Sequence, residues 1–142
     1  MGQLFSWEKD LGKRKEENNM QIETFSFRFG EANGHMEWYR YNKEQGLWID
    51  KFDGRMQAKR CQMTEAELEE LEKIIRENKI DTWNGFCKLE LCMCSGNSWT
   101  LHVTYAGNTE CFIHAMGHSE APEGFAEGKQ ALEAFFDRYL EA

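Results

Sequence analysis

Residues 21–63 read QIETFSFRFGEANGHMEWYRYNKEQGLWIDKFDGRMQAKRCQM, and their period decides the fold class. In QIETFSFRF (21–29), Phe25, Phe27 and Phe29 fall on one face of a strand, with Thr24, Ser26 and Arg28 on the other. A Gly-containing turn at 30–34 leads to HMEWYRY (35–41). A second turn at 42–46 leads to LWIDKF (47–52), and Asp53-Gly54 is a two-residue hairpin signal before RMQAKRCQM (55–63). Four strands joined by short turns form an antiparallel meander. Such a sheet covers one face with helices and leaves the other open.

Helix signals begin where the meander ends. Thr64 and Glu67 have the spacing of a capping box, and Glu65 and Glu67 favour the positive end of a helix. Leu68, Leu71 and Ile75 form its apolar stripe, with Asn78 as its natural end. SWTLHVTY (98–105) alternates as a strand, and TECFIHAM (109–116) returns beside it. With Gly107 and Asn108 as the turn residues, Leu101 is expected to face His114. A last helix is expected over 124–140 with Leu132, Phe135, Phe136 and Tyr139 inward, although Gly128 within it costs about 1 kcal/mol against Ala. The expected architecture is α+β, in the order ββββ-α-ββ-α: a single antiparallel sheet of about six strands with two main helices on one face. Residues 20–142 form one domain in this reading, preceded by a charged segment, 1–19, whose Leu4, Trp7 and Leu11 have helical spacing.

The formal net charge of the 142-residue chain is -8. Its distribution is uneven: seven Lys and Arg stand against six Asp and Glu from Met20 to Gln62, but two against seven from Glu110 to Ala142. An acidic chain repels phosphate and anionic lipid, so neither a nucleic acid nor a membrane surface is an expected partner. No apolar run approaches a spanning helix or a secretory signal, and the expected location is cytoplasmic. Met1, Gly2 and Ser6 match a myristoylation pattern by letter only. Five cysteines cannot all pair within one chain, and free thiols are expected.

Three constellations invite a functional reading. Trp38, Tyr39, Tyr41, Trp48 and Phe52 lie on successive strands. By period, Tyr39 and Tyr41 share a face, and so do Trp48 and Phe52. Whichever aromatics remain on the open face form a platform for a peptide, a sugar or a second copy of the chain, rimmed by Arg28, Arg40 and Arg55. Cys92 and Cys94 point to the same side if extended, and with Cys111 and His102 they compose a conceivable zinc site. The blander reading of those thiols is core packing. Cys111 and His102 also compose a weak nucleophile–base pair, without a known cysteine-enzyme motif around them. His114, His118 and Glu120 crowd the loop near Gly117. Phosphate loops, dinucleotide fingerprints, serine elbows and HExxH are absent from the sequence.

From Thr64 onward the Glu-rich helix, Trp83-Asn84-Gly85-Phe86, Ser98-Trp99, Val103-Thr104-Tyr105, Gly117 with Pro122, and Leu132 with Phe135-Phe136 follow one another in a characteristic order. In this the chain resembles a family of small uncharacterised domains from Gram-positive gut bacteria, some of them lipoprotein-anchored. The resemblance implies a bacterial source and brings no activity and no site residue. Its members have acidic or polar residues at Cys87 and lack the Cys92 and Cys94 pair. The function expected from the sequence is a non-catalytic interaction or ligand-binding module using an aromatic sheet face, with a protein partner or a homodimer. The alternatives are a cysteine/histidine metal protein and a cysteine-dependent enzyme.

Overall fold

The computed structural model describes residues 21–88 and 97–141. The meander is β1 (Ile22–Gly30), β2 (Met36–Asn42), β3 (Gly46–Phe52) and β4 (Met56–Cys61). Helix α1 (Glu65–Glu77), a 3-10 turn (Ile80–Trp83) and a two-residue strand β5 (Cys87–Lys88) follow. The chain then forms β6 (Ser98–Tyr105), β7 (Asn108–His118) and α2 (Phe125–Glu141). The sheet order is β4-β3-β2-β1-β6-β7-β5. Among the described residues it holds seven strands rather than about six. The addition is β5, which pairs parallel to β7 at Cys87 and Lys88. Two residues are too few to show a period, so no sequence pattern announces it. Segment 1–19 and the Cys92-x-Cys94 pair lie outside the described residues.

The capping box forms as its letters require. Thr64 Oγ1 accepts from the Glu67 N–H at 3.1 Å, and Glu67 Oε1 accepts from the Thr64 N–H at 2.9 Å. Leu68, Leu71 and Ile75 turn inward beneath the sheet, and Leu132, Phe135 and Phe136 do so from α2. Phe25, Phe27 and Phe29 meet them from β1. Burying each such side chain stabilises the fold by roughly 1.5–3 kcal/mol.

Tyr39 and Tyr41 belong to this core. They pair across strands with Phe27 and Phe25 and are buried with them. Tyr39 stacks on Phe136 at 4.6 Å. The helix-covered face therefore consumes the tyrosines, while Trp38 and Trp48 take the opposite side.

Gly128 has a packing reason. A Cβ there would lie 2.8 Å from two ring atoms of Trp83, itself buried against Trp99 and Phe125. The bare backbone lets α2 approach the indole.

The β6–β7 register also departs from expectation. His102, not Leu101, faces His114, and Leu101 faces Ala115. Ala106 and Gly107 occupy the turn, so Tyr105 pairs with Asn108, yet Thr104 pairs with Phe112. The residues between Asn108 and Phe112 bulge out of β7. A one-residue change in register moves every side chain to the other face. Burial of Ile113 and Ala115 fixes that choice, and the turn adapts to it.

Candidate functional site

Among the described residues no helix covers the second face of the sheet. Alternation along each strand sends every other residue there, and registers line them up across strands. One row runs Arg60, Trp48, Arg40, Ser26, His102, His114 from β4 to β7. The next holds Asp50, Trp38 and Arg28. Beyond it Met56, Phe52 and Met36 make an apolar strip that ends at Gly30. Phe52 and Met56 are 39% and 55% exposed.

Guanidinium and indole planes alternate across β4 to β1. Arg60 lies 4.3 Å from the Trp48 ring, and Arg40 lies 5.4 Å from Trp48 and 3.8 Å from Trp38. Arg28 closes the ladder 4.9 Å from Trp38. Each contact contributes about 0.5–1 kcal/mol at an exposed site. Arg40 donates to Asp50 at 2.7 Å, and the Trp38 N–H donates to Ser26 Oγ at 3.0 Å. Among the described residues no carboxylate pairs with Arg28 or Arg60. The ladder ends at Arg60; Arg55, expected on the rim, sits in the β3–β4 turn.

Beside Arg28 the missing side chain of Gly30 opens a hollow of about 280 Å³ between Met36, Ser98, Met116 and His118. His118 Nδ1 is buried without a hydrogen-bond partner among the described residues. His114 and His118 lie four residues apart on one extended strand, about 13 Å, so they do not converge.

His102 and His114 meet directly. Their Nδ1 atoms are 3.2 Å apart and both rings are exposed. Cys111 lines a hollow of about 300 Å³ with Glu23 and His102 at the bulge. Its thiol packs against the core, and burial, then Glu72 and Asp81, push its pKa up. Burial likewise raises the Cys61 thiol. Neither is disposed toward the thiolate that nucleophilic chemistry requires. Cys61, Cys87 and Cys111 are free thiols. Among the described residues no three His, Cys, Asp or Glu side chains converge tightly enough to hold a metal between them. Cys92 and Cys94, half of the expected zinc set, are outside those residues.

A second polar cluster ties α2 to β2 on the helix side. Glu37 is fully buried and accepts from the Tyr39 hydroxyl at 2.6 Å, with Lys129 at 3.4 Å and His35 at 3.3 Å. Burial alone would raise its pKa. Hydrogen bonds from Glu133, Tyr39 and His35, with the Lys129 charge, outweigh burial and hold it low. Burial and the bond to Glu37 raise Glu133 in turn. The two carboxyls beneath Lys129 are thus pushed apart, Glu37 below the ordinary carboxylate value and Glu133 above it. The cluster is closed over by Phe29 and α2, which suits a structural tie more than a substrate.

Among the described residues no helix is long and apolar enough to cross a membrane. No family model matches the chain, and no curated protein matches it in sequence.

Proposed function

We propose that the open sheet face is a non-catalytic docking surface for an acidic protein segment. Carboxylates of that segment lie along the Arg28–Trp38–Arg40–Trp48–Arg60 ladder. Its apolar side chains lie on Met56, Phe52 and Met36 and enter the hollow at Gly30.

The ladder is the observation that carries this reading. Three arginines stand against Asp50 there, with Glu23 on the rim of the neighbouring hollow, in a chain of formal charge -8. Stacking fixes the guanidinium planes before any partner arrives, so little side-chain entropy is left to lose on binding. Planar guanidinium forks match carboxylates in two-point hydrogen bonds. Nucleic acid is a poorer fit, because the indole faces that would stack on bases are already occupied by arginines.

The test follows the Trp38 and Trp48 indole N–H signals by NMR. The probe is a dodecapeptide alternating Glu with Leu and Phe. Parallel titrations use the same peptide with Lys for Glu, and a single-stranded DNA oligonucleotide. Shifts on both indoles with the acidic peptide alone, lost in Arg28→Glu/Arg60→Glu, are expected. Silence toward the acidic peptide, or a preference for DNA or the lysine peptide, would refute the reading. A dimer of the bare chain that closes over these indoles would assign the face to a second copy instead.

A further inference from the structure

We propose that His102 and His114 form a two-imidazole chelate for a divalent transition cation of the zinc class. The inference is independent of the arginine ladder and rests on the β6–β7 register.

Bonds from a zinc-class ion to imidazole nitrogen run about 2.0–2.1 Å. Two nitrogens 3.2 Å apart then subtend roughly 99–106° at the metal, near the tetrahedral angle and wider than a square-planar site requires. The metal can therefore enter between the rings with little movement of either strand. β6 is held on both sides, by β1 and β7, so the backbone under His102 is fixed. The backbone N–H of His114 donates to Asn84 Oδ1 at 2.8 Å, which anchors the second ligand. The rings cross at 78°. Both are solvent-facing, and Glu23 adds a carboxylate to the rim of the hollow that His102 lines. Arg40 is the nearest cation in the row, two strands and about 10 Å away, with Ser26 between. The chelate supplies two of four positions, and solvent completes the rest.

Binding changes the proton arrangement in a way that can be read. In the metal-free contact one Nδ1 carries the hydrogen and donates to the other. A bridging cation needs both Nδ1 lone pairs, so both protons must reside on Nε2.

The experiment titrates Co²⁺ into the full chain, following visible absorption and the ¹⁵N signals of the histidine rings. One equivalent is expected, without a thiolate-to-metal charge-transfer band and with both rings in the Nε2–H form. His102→Gln and His114→Gln should each weaken binding by more than the ~10–100-fold that loss of an outer-shell partner brings. His118→Gln and the double variant Cys92→Ser/Cys94→Ser should bind as the parent does. Thermal melts establish that each variant is folded. The proposal fails if the parent binds no Co²⁺, if binding survives in His102→Gln, or if the cysteine double variant abolishes it.

Discussion

Gly128→Ala sets two opposing effects against each other within one side chain. On propensity alone, alanine for glycine in the first turn of α2 should stabilise the helix by up to about 1 kcal/mol. The structure reverses that expectation. The new Cβ would stand 2.8 Å from both Cη2 and Cζ2 of Trp83 and 3.1 Å from an Ile80 side-chain carbon. Ordinary carbon contacts begin near 3.5 Å, so the helix or the indole must move by roughly 0.7 Å. Trp83 is 1% exposed and wedged between Trp99 at 6.0 Å and Phe125 at 5.2 Å, so it has nowhere to retreat. Overpacking of a filled core costs typically 1–3 kcal/mol. Subtracting the propensity gain leaves a net destabilisation of about 0–2 kcal/mol, centred near 1. Urea unfolding followed by far-ultraviolet circular dichroism measures it, with an unchanged slope required for the comparison. The decisive arm is Trp83→Phe, which withdraws the ring atoms that clash. In that background Gly128→Ala should become neutral or stabilising, a coupling of about 0.5–3 kcal/mol. Equal cost in both backgrounds would refute the packing argument. A stabilised Gly128→Ala in the parent would refute it outright.

Three further substitutions separate the buried carboxyls. Glu72 is buried and accepts from Tyr105 Oη at 2.8 Å; burial, partly offset by that bond and by Arg76, raises its pKa above the ordinary 4.5. A raised carboxyl favours the folded state at low pH, and that contribution is lost as pH rises through the folded value. Glu72→Gln should therefore remove a decline in stability above about pH 4.5, seen as converging urea midpoints on that limb, whereas Tyr105→Phe should cost about 1–3 kcal/mol by leaving the carboxylate without its donor. Glu37 carries the opposite sign. Its lowered pKa gives stability that is present above 4.5 and lost as pH falls through the folded value, so Glu37→Gln should be destabilised near neutrality yet show a flatter acid limb.

Much of the fold was legible because its elements obey their own periods. Thr64 and Glu67 announce α1, and the alternation in 21–63 announces four strands whose boundaries shift by only a residue or two. The choice between two aromatic sets was harder. Tyr and Trp are both amphipathic, so their chemistry does not say which faces the helices. The signal was in the pairing: Phe25 and Phe27 sit opposite Tyr41 and Tyr39, and their alternates are Thr, Ser and Arg. Following the phenylalanine face across the first turn would have sent Trp38 to the open side. At the second hairpin, the Gly107-Asn108 letters suggested a tight turn one residue too far along. Ile113 and Ala115 override it, because burying them is worth more than an ideal loop. Arg60, the far end of the ladder, was missed because its role depends on a partner two strands of sequence pattern cannot place. Gly128 looked like a defect only while Trp83 was absent from the argument.

The β1–β6 seam has a consequence for how the chain assembles. Strands β1 to β4 join through adjacent hairpins, and β6 and β7 do likewise, but Phe27 must find Leu101 across the intervening chain. Closing that loop carries an entropic toll that grows as (3/2)RT ln n and must be met before the seam's own contacts return anything. The arginine–indole ladder sits wholly on the first side of this seam and the histidine pair wholly on the second. Each is thus written into a locally closing piece of chain, and the slow, long-range event sets only their distance from one another.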